Sequence, residues 1–114
     1  MSPEANMNTT ASWQFLTNYA LVLMHTSQRP ESTGMEIAQA VGITERATRR
    51  ILVDLQAAGY VELEKVGRRN RYRVDTHQPL GRIGDRDLTV GNLLELVLDK
   101  ELREERVRDD GERE

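Results

Sequence analysis

Six arginines stand in two close sets in the middle of this chain. Arg46, Arg49 and Arg50 recur at the i, i+3 and i+4 spacing that gathers side chains on one side of a helix. Arg68, Arg69 and Arg71 crowd around Asn70, just after Gly67. A guanidinium carries five donors in a fixed fork, which suits both phosphate oxygens and the O6/N7 edge of guanine. Thr44 and Glu45 lie directly beside the first set. Together these residue types offer recognition of a patterned polyanion. The candidate contacts to double-stranded DNA are Thr44, Glu45, Arg46, Arg49, Arg50, Arg68, Arg69, Asn70 and Arg71.

Charge distribution agrees with this better than the total does. The 114 residues sum to −3 at neutral pH. From Thr44 to Val74, however, eight basic residues face four acidic ones, a local +4, whereas Asp99 to Glu114 holds eight acids and five bases, a local −3. A basic middle on an otherwise acidic body suits a phosphate-facing surface. Other chemistries lack their groups. There is no cysteine, which removes disulfides and thiolate metal sites. His25 and His77 are far apart and match no ligand spacing, so no metal or other cofactor is expected. Asp85, Asp87 and Glu95 read as a loop and helix-start cluster that complements a helix dipole. Neither a nucleophile-elbow pattern nor a phosphate-cradling loop is present, and no enzymatic activity is expected. Met1 to Thr10 has no basic and apolar signal-peptide regions, and the longest apolar run, Tyr19 to Met24, is too short to cross a bilayer. The expectation is a cytoplasmic protein with no membrane partner.

The elements that must hold the arginines follow from periodicity and punctuation. Ser12 caps a first helix over Trp13–Thr26, with Leu16, Tyr19, Ala20, Leu23 and Met24 at helical spacing. Pro30 opens a loop. Thr33, with Glu36 three residues on, has capping-box spacing and starts a short helix over Gly34–Val41, stopped by Gly42. Thr44 caps a third helix over Glu45–Ala58, whose inward set is Ala47, Thr48, Ile51, Leu52, Leu55 and Ala58. Two strands, Tyr60–Val66 and Arg71–Asp75, form a hairpin in which Val61 and Leu63 match Tyr72 and Val74. The stretch Thr76–Asp87, with Pro79, Gly81 and Gly84, reads as a polar linker. A last helix runs from Thr89 to Arg106.

Helix, short helix, tight turn, longer helix and basic hairpin resembles the core of MarR- and ArsR-type winged-helix regulators. The resemblance rests on Ile37 and Ala38 opening the second helix, on Gly42, Ile43 and Thr44 in the turn, and on Leu52, Leu55, Gly59, Tyr60 and Val61 leading into the hairpin. Gly67, Arg68 and Arg69 resemble the wing tip. It covers Thr33 to Asp75. In those families a valine is common at the position of Thr48, and the metal-sensing clusters of ArsR-type proteins are missing from this chain.

The expected fold is mainly α with a small β-hairpin wing (α+β), a winged helix-turn-helix with an additional C-terminal helix. Its expected divisions are a tail (1–11), the DNA-binding domain (12–75), a linker (76–88), the last helix (89–106) and a charged tail (107–114). The resemblance implies a transcription regulator with the recognition helix in the major groove and the wing on flanking backbone or minor groove. A homodimer is expected through the stripe Val90, Leu93, Leu94, Val97, Leu98 and Leu102, with Trp13 and Phe15 joining it. The alternatives are a winged helix used for protein–protein contact and a regulator switched by a small-molecule effector.

Overall fold

The computed structural model describes residues 13–97 and is an α+β chain of four helices and two small antiparallel hairpins. Helix α1 spans Asn18–Gln28, α2 Gly34–Val41 and α3 Glu45–Ala57. Strands β1 (Val61–Val66) and β2 (Arg69–Val74) form the first hairpin, and β3 (Pro79–Ile83) and β4 (Arg86–Thr89) the second. Helix α4, Val90–Leu94, runs into a 3₁₀ turn at Glu95–Val97.

The three long helices each start on a threonine in extended conformation. Thr17, Thr33 and Thr44 accept a hydrogen bond from the backbone N–H of the residue three further on. Each satisfies one of the four amides that a helix N-terminus leaves without a partner. Thr33 and Glu36 form the full capping box, with the Glu36 carboxylate accepting from the Thr33 N–H at 2.9 Å. The first helix therefore begins at Thr17 rather than at Trp13, because Thr17 supplies the cap; Ser12 lies outside the described residues.

Val22 and Leu23 of α1, Ile37 of α2, Ile51, Leu52 and Leu55 of α3, Val61 of β1 and Val90 of α4 make one core. Two threonines are fully buried within it, and both close on their own helix. Thr26 Oγ1 donates to the Leu23 carbonyl at 2.9 Å and Thr48 Oγ1 to the Thr44 carbonyl at 3.0 Å. Neither hydroxyl is left unpaired, which is what makes its burial tolerable.

The first hairpin has the register Val61↔Val74, Leu63↔Tyr72, which is the pairing that the alternation of apolar residues predicts. Its second strand starts earlier than expected, at Arg69, because Gly67 and Arg68 alone make the turn. Backbone hydrogen bonds at and beside the hairpin anchor it: Tyr72 N–H to the Pro30 carbonyl (2.8 Å), Asp75 N–H to that of Tyr60 (3.0 Å), and Tyr60 N–H to that of Leu55 (2.9 Å).

Residues 76–88 are not a linker. After a turn held by Asp75, whose carboxylate accepts from the His77 N–H at 3.0 Å, the chain forms β3 and β4. Gly84 has φ +61° at the first of the two turn positions between Ile83 and Arg86, the conformation that a two-residue hairpin turn with glycine first requires. Pro79 is the first residue of its strand, where a missing N–H does no harm. The base of this hairpin is fixed by Val90 N–H to Gln78 O and Gly91 N–H to Thr76 O, both 2.9 Å. Thr89 then caps α4 with Asn92. The helix predicted to continue to Arg106 is described only to Val97.

Candidate nucleic-acid interface

Gly42 ends α2 in a left-handed conformation, φ +89°, which an L side chain rarely adopts. Its N–H and that of Ile43 both donate to the Ala38 carbonyl, at 2.8 and 3.0 Å. Two residues therefore reverse the chain, and Thr44 caps the next helix at once, its Oγ1 accepting from Ala47 N–H at 3.0 Å. Helix α3 leaves this turn with two distinct faces. Thr48, Ile51, Leu52 and Leu55 are buried, and Glu45, Arg46, Arg49, Arg50, Val53 and Gln56 are exposed. At 3.6 residues per turn, Arg46 and Val53 fall near the middle of the exposed face, with Arg49 and Arg50 to either side.

The arginines differ in what already holds them. Arg49 Nη1 lies 3.3 Å from Glu45 Oε2, and Arg50 Nε 3.6 Å from Asp54 Oδ2, both on the same helix at i,i+4. Asp54 also accepts a hydrogen bond from the Tyr19 hydroxyl of α1. That bond, with the neighbouring negative charge, raises the Tyr19 pKa above the usual tyrosine value. Arg46 has no ion-pair partner among the described residues.

On the first hairpin the alternation sends Tyr72 and Val74 toward the core and Arg69, Arg71 and Arg73 outward. Burial raises the pKa of Tyr72. Arg73 pairs with Glu62, its cross-strand neighbour, and lies 4.0 Å from Glu64, so the base of the outward face is largely neutral. Its bond to Glu62 raises the already high Arg73 pKa, which keeps this guanidinium charged at any working pH. Arg69 Nη1 reaches Glu31 in the loop between α1 and α2, at 2.5 Å. Arg68, Asn70, Arg71 and Lys65 are exposed and have no side-chain hydrogen bond or ion pair among the described residues.

Thr44, Glu45, Arg46, Arg49 and Arg50 thus share the start and exposed side of α3, and Arg68, Arg69, Asn70 and Arg71 share the hairpin tip. The two sets lie on elements packed through Leu55 and Val61. No family model matches the chain, and no curated protein matches it. Among the described residues, no three His, Asp or Glu side chains gather as they would around a metal ion, and no helix is long and apolar enough to cross a membrane.

The residues expected at a dimer contact differ in exposure where they are described. Trp13 and Phe15 are exposed and meet edge to face, ring centroids 4.6 Å apart. Leu93 and Val97 are half-buried, and Leu94 packs on the core. Val90 is fully buried in the same core as Val22 and Ile37, so it has no surface left to offer a second chain. Leu98 and Leu102 lie outside the described residues.

Val53 on α3 and Lys65 near the hairpin tip are exposed beside the candidate contacts, and the arginine pattern does not include them. Val53 has a local signal, an apolar residue seven positions after Arg46 in the polar stripe. Tyr19 and Glu31 have none, since they meet Asp54 and Arg69 across 35 and 38 residues.

Proposed function

We propose that this chain is a winged helix-turn-helix protein that binds double-stranded DNA in a sequence-specific manner and regulates transcription, as a homodimer. The observation that carries the reading is the face of α3. A helix entered through a two-residue turn buries one side completely and exposes Arg46, Arg49, Arg50 and Val53 on the other. In the major groove an arginine fork can read guanine, and an apolar side chain such as Val53 can contact a thymine methyl. The hairpin of β1 and β2 is the wing, and Lys65, Arg68 and Arg71 at and near its tip meet the flanking phosphates. Thr44 caps α3 and lies nearest the backbone on the groove wall, and Glu45 beside it disfavours bases that present only acceptors.

The test is a fluorescence-anisotropy titration with a random duplex pool at low and at physiological salt, followed by selection and sequencing of the retained DNA. Enrichment of a pseudo-palindromic motif with half-sites about one helical turn apart, and a steep fall of affinity with salt, is the expected result. No retention at low salt overturns the reading.

A further inference from the structure

Three of the six arginines assigned to DNA already hold a carboxylate. Glu45 takes Arg49, Asp54 takes Arg50 and Glu31 takes Arg69. The Glu45–Arg49 pair is an ordinary neighbour contact along one helix. The other two are built differently, because a second bond from a distant part of the chain holds the carboxylate itself at Asp54 and the backbone next to it at Glu31. Asp54 is held by the hydroxyl of Tyr19, from α1. Glu31 follows Pro30, whose carbonyl accepts the Tyr72 N–H of the wing at 2.8 Å, so the loop that carries Glu31 is itself bonded to the strand that carries Arg69. A carboxylate held in this way, or carried on a backbone held in this way, loses less freedom on pairing, and it takes the place on the guanidinium that a phosphate oxygen would take.

We propose that Asp54 and Glu31 are built-in counter-ions of the DNA-binding face, which must be displaced from Arg50 and Arg69 before these arginines engage phosphate or base, and which thereby hold down affinity for unspecific DNA. The inference rests on the DNA-binding reading above. Exposed ion pairs are individually weak, so the displacement remains easy for a well-fitting site while it weighs on marginal complexes. Arg46, Arg68 and Arg71, with no such partner among the described residues, make the first contacts. Tyr19 acts at one remove, as the residue that positions Asp54.

The test uses the full chain and a random-sequence duplex, with affinity measured over a range of salt. Asp54→Asn and Glu31→Gln keep the size and the hydrogen-bond acceptor while removing the charge, and thermal melting checks that each variant is folded. Each is expected to raise affinity about two- to five-fold at low salt and to steepen the log–log salt slope by up to about 0.9, the amount for one further phosphate neutralised. The deciding arm is a double-mutant cycle. In an Arg50→Ala background Asp54→Asn gains nothing further, and in an Arg69→Ala background Glu31→Gln gains nothing further. Equal gains with and without the arginine mean plain removal of surface charge and overturn the proposal, as does the absence of any gain. Binding by the variants where the parent chain binds no DNA supports it. Failure of parent and variants alike to bind DNA overturns the DNA-binding reading, and this proposal with it.

Discussion

Arg46 and Arg68 separate two roles that a count of arginines would merge. Arg46 stands near the centre of the exposed face of α3 without an ion-pair partner among the described residues, and Arg68 stands in the turn of the first hairpin. Arg46→Ala is expected to cost about 1–3 kcal/mol on the selected operator and far less on random duplex, as loss of a base contact does. Arg68→Ala should weaken both equally and flatten the salt slope by about one. Anisotropy on the two duplexes distinguishes these outcomes, and equal losses for both variants would mean that Arg46 touches only phosphate. Thr48 lies on the hidden side of the same helix. The carbonyl of Thr44 accepts both the Thr48 amide and the Thr48 hydroxyl, each at 3.0 Å, so removing the hydroxyl leaves no group unpaired. Thr48→Val keeps the shape and exchanges that local hydrogen bond for a buried methyl, two effects of opposite sign and about 1 kcal/mol each, so the denaturant midpoint should barely move. His25 couples the fold to pH. Burial, then the charge of Arg29, lowers its pKa below the ordinary 6.5, against an opposing pull from Glu36. Its ring bonds Ser32 Oγ at 3.1 Å. Since the folded chain holds His25 neutral, its contribution is complete above pH 6.5 and is lost as pH falls through the lowered value. Denaturant midpoints at pH 7.5 and pH 5 should fall further for the parent chain than for His25→Gln, and equal falls would exclude His25 as the cause.

At the scale of elements, the two hairpins are made with the same kind of turn and differ in what covers them. The first packs Tyr72 and Val74 on the core and is bonded to Pro30 and Tyr60. The second keeps every residue of β3 exposed, including Leu80 and Ile83, and only its base is tied down. A two-stranded hairpin packed only at its base, through the half-buried Leu88 and Thr89, is marginal. Cross-strand amides between Gly81 and Leu88 should therefore exchange with solvent much faster than those of β1 and β2, by hydrogen exchange followed by NMR. Comparable protection would mean that something covers this hairpin in solution. The contrast also explains what the sequence made legible. Helices α2 and α3 can be read almost to the residue because Thr33, Glu36, Gly42 and Thr44 are local signals, each acting within four residues. The second hairpin hides because Pro79, Gly81 and Gly84 punctuate it as they would a loop, and a positive φ at Gly84 is invisible until the strands beside it are known. The start of α1 shifts for a related reason, since Ser12 and Thr17 are equally good caps by type and only packing chooses between them. At the candidate site the arginines are legible one by one, but their carboxylate partners are not all so. Glu45 and Asp54 follow the i,i+4 rule, whereas Glu31 reaches Arg69 only once the chain has folded back on itself.

The whole molecule poses the question of how two such surfaces come together. In the proposed dimer, two half-sites multiply a modest affinity only if the chains are joined, and the apolar stripe of the last helix is the joint proposed for them. The fold narrows that stripe. Val90 is spent inside the core and Leu94 lies against it, which leaves Leu93 and Val97, half-buried, and the exposed Leu96 among the described residues. Three side chains fall well short of the roughly 800 Å² that each partner gives to a stable interface. The joint must then draw on Leu98 and Leu102, which continue the spacing, or on Trp13 and Phe15. A chain ending at Val97 retains every core residue among the described ones, including Val90, and is expected to stay folded. Light scattering behind size exclusion should give twice the chain mass for the full protein and the single mass for the shortened one. The shortened chain should bind an isolated half-site as well as the full chain does and lose the extra affinity for paired half-sites. If it remains a dimer, the aromatic pair becomes the joint, and Trp13→Ala with Phe15→Ala should then release the monomer. If the full chain is itself monomeric, it would bind paired half-sites no more tightly than their independent sum, and the predicted palindrome would disappear from the selected DNA.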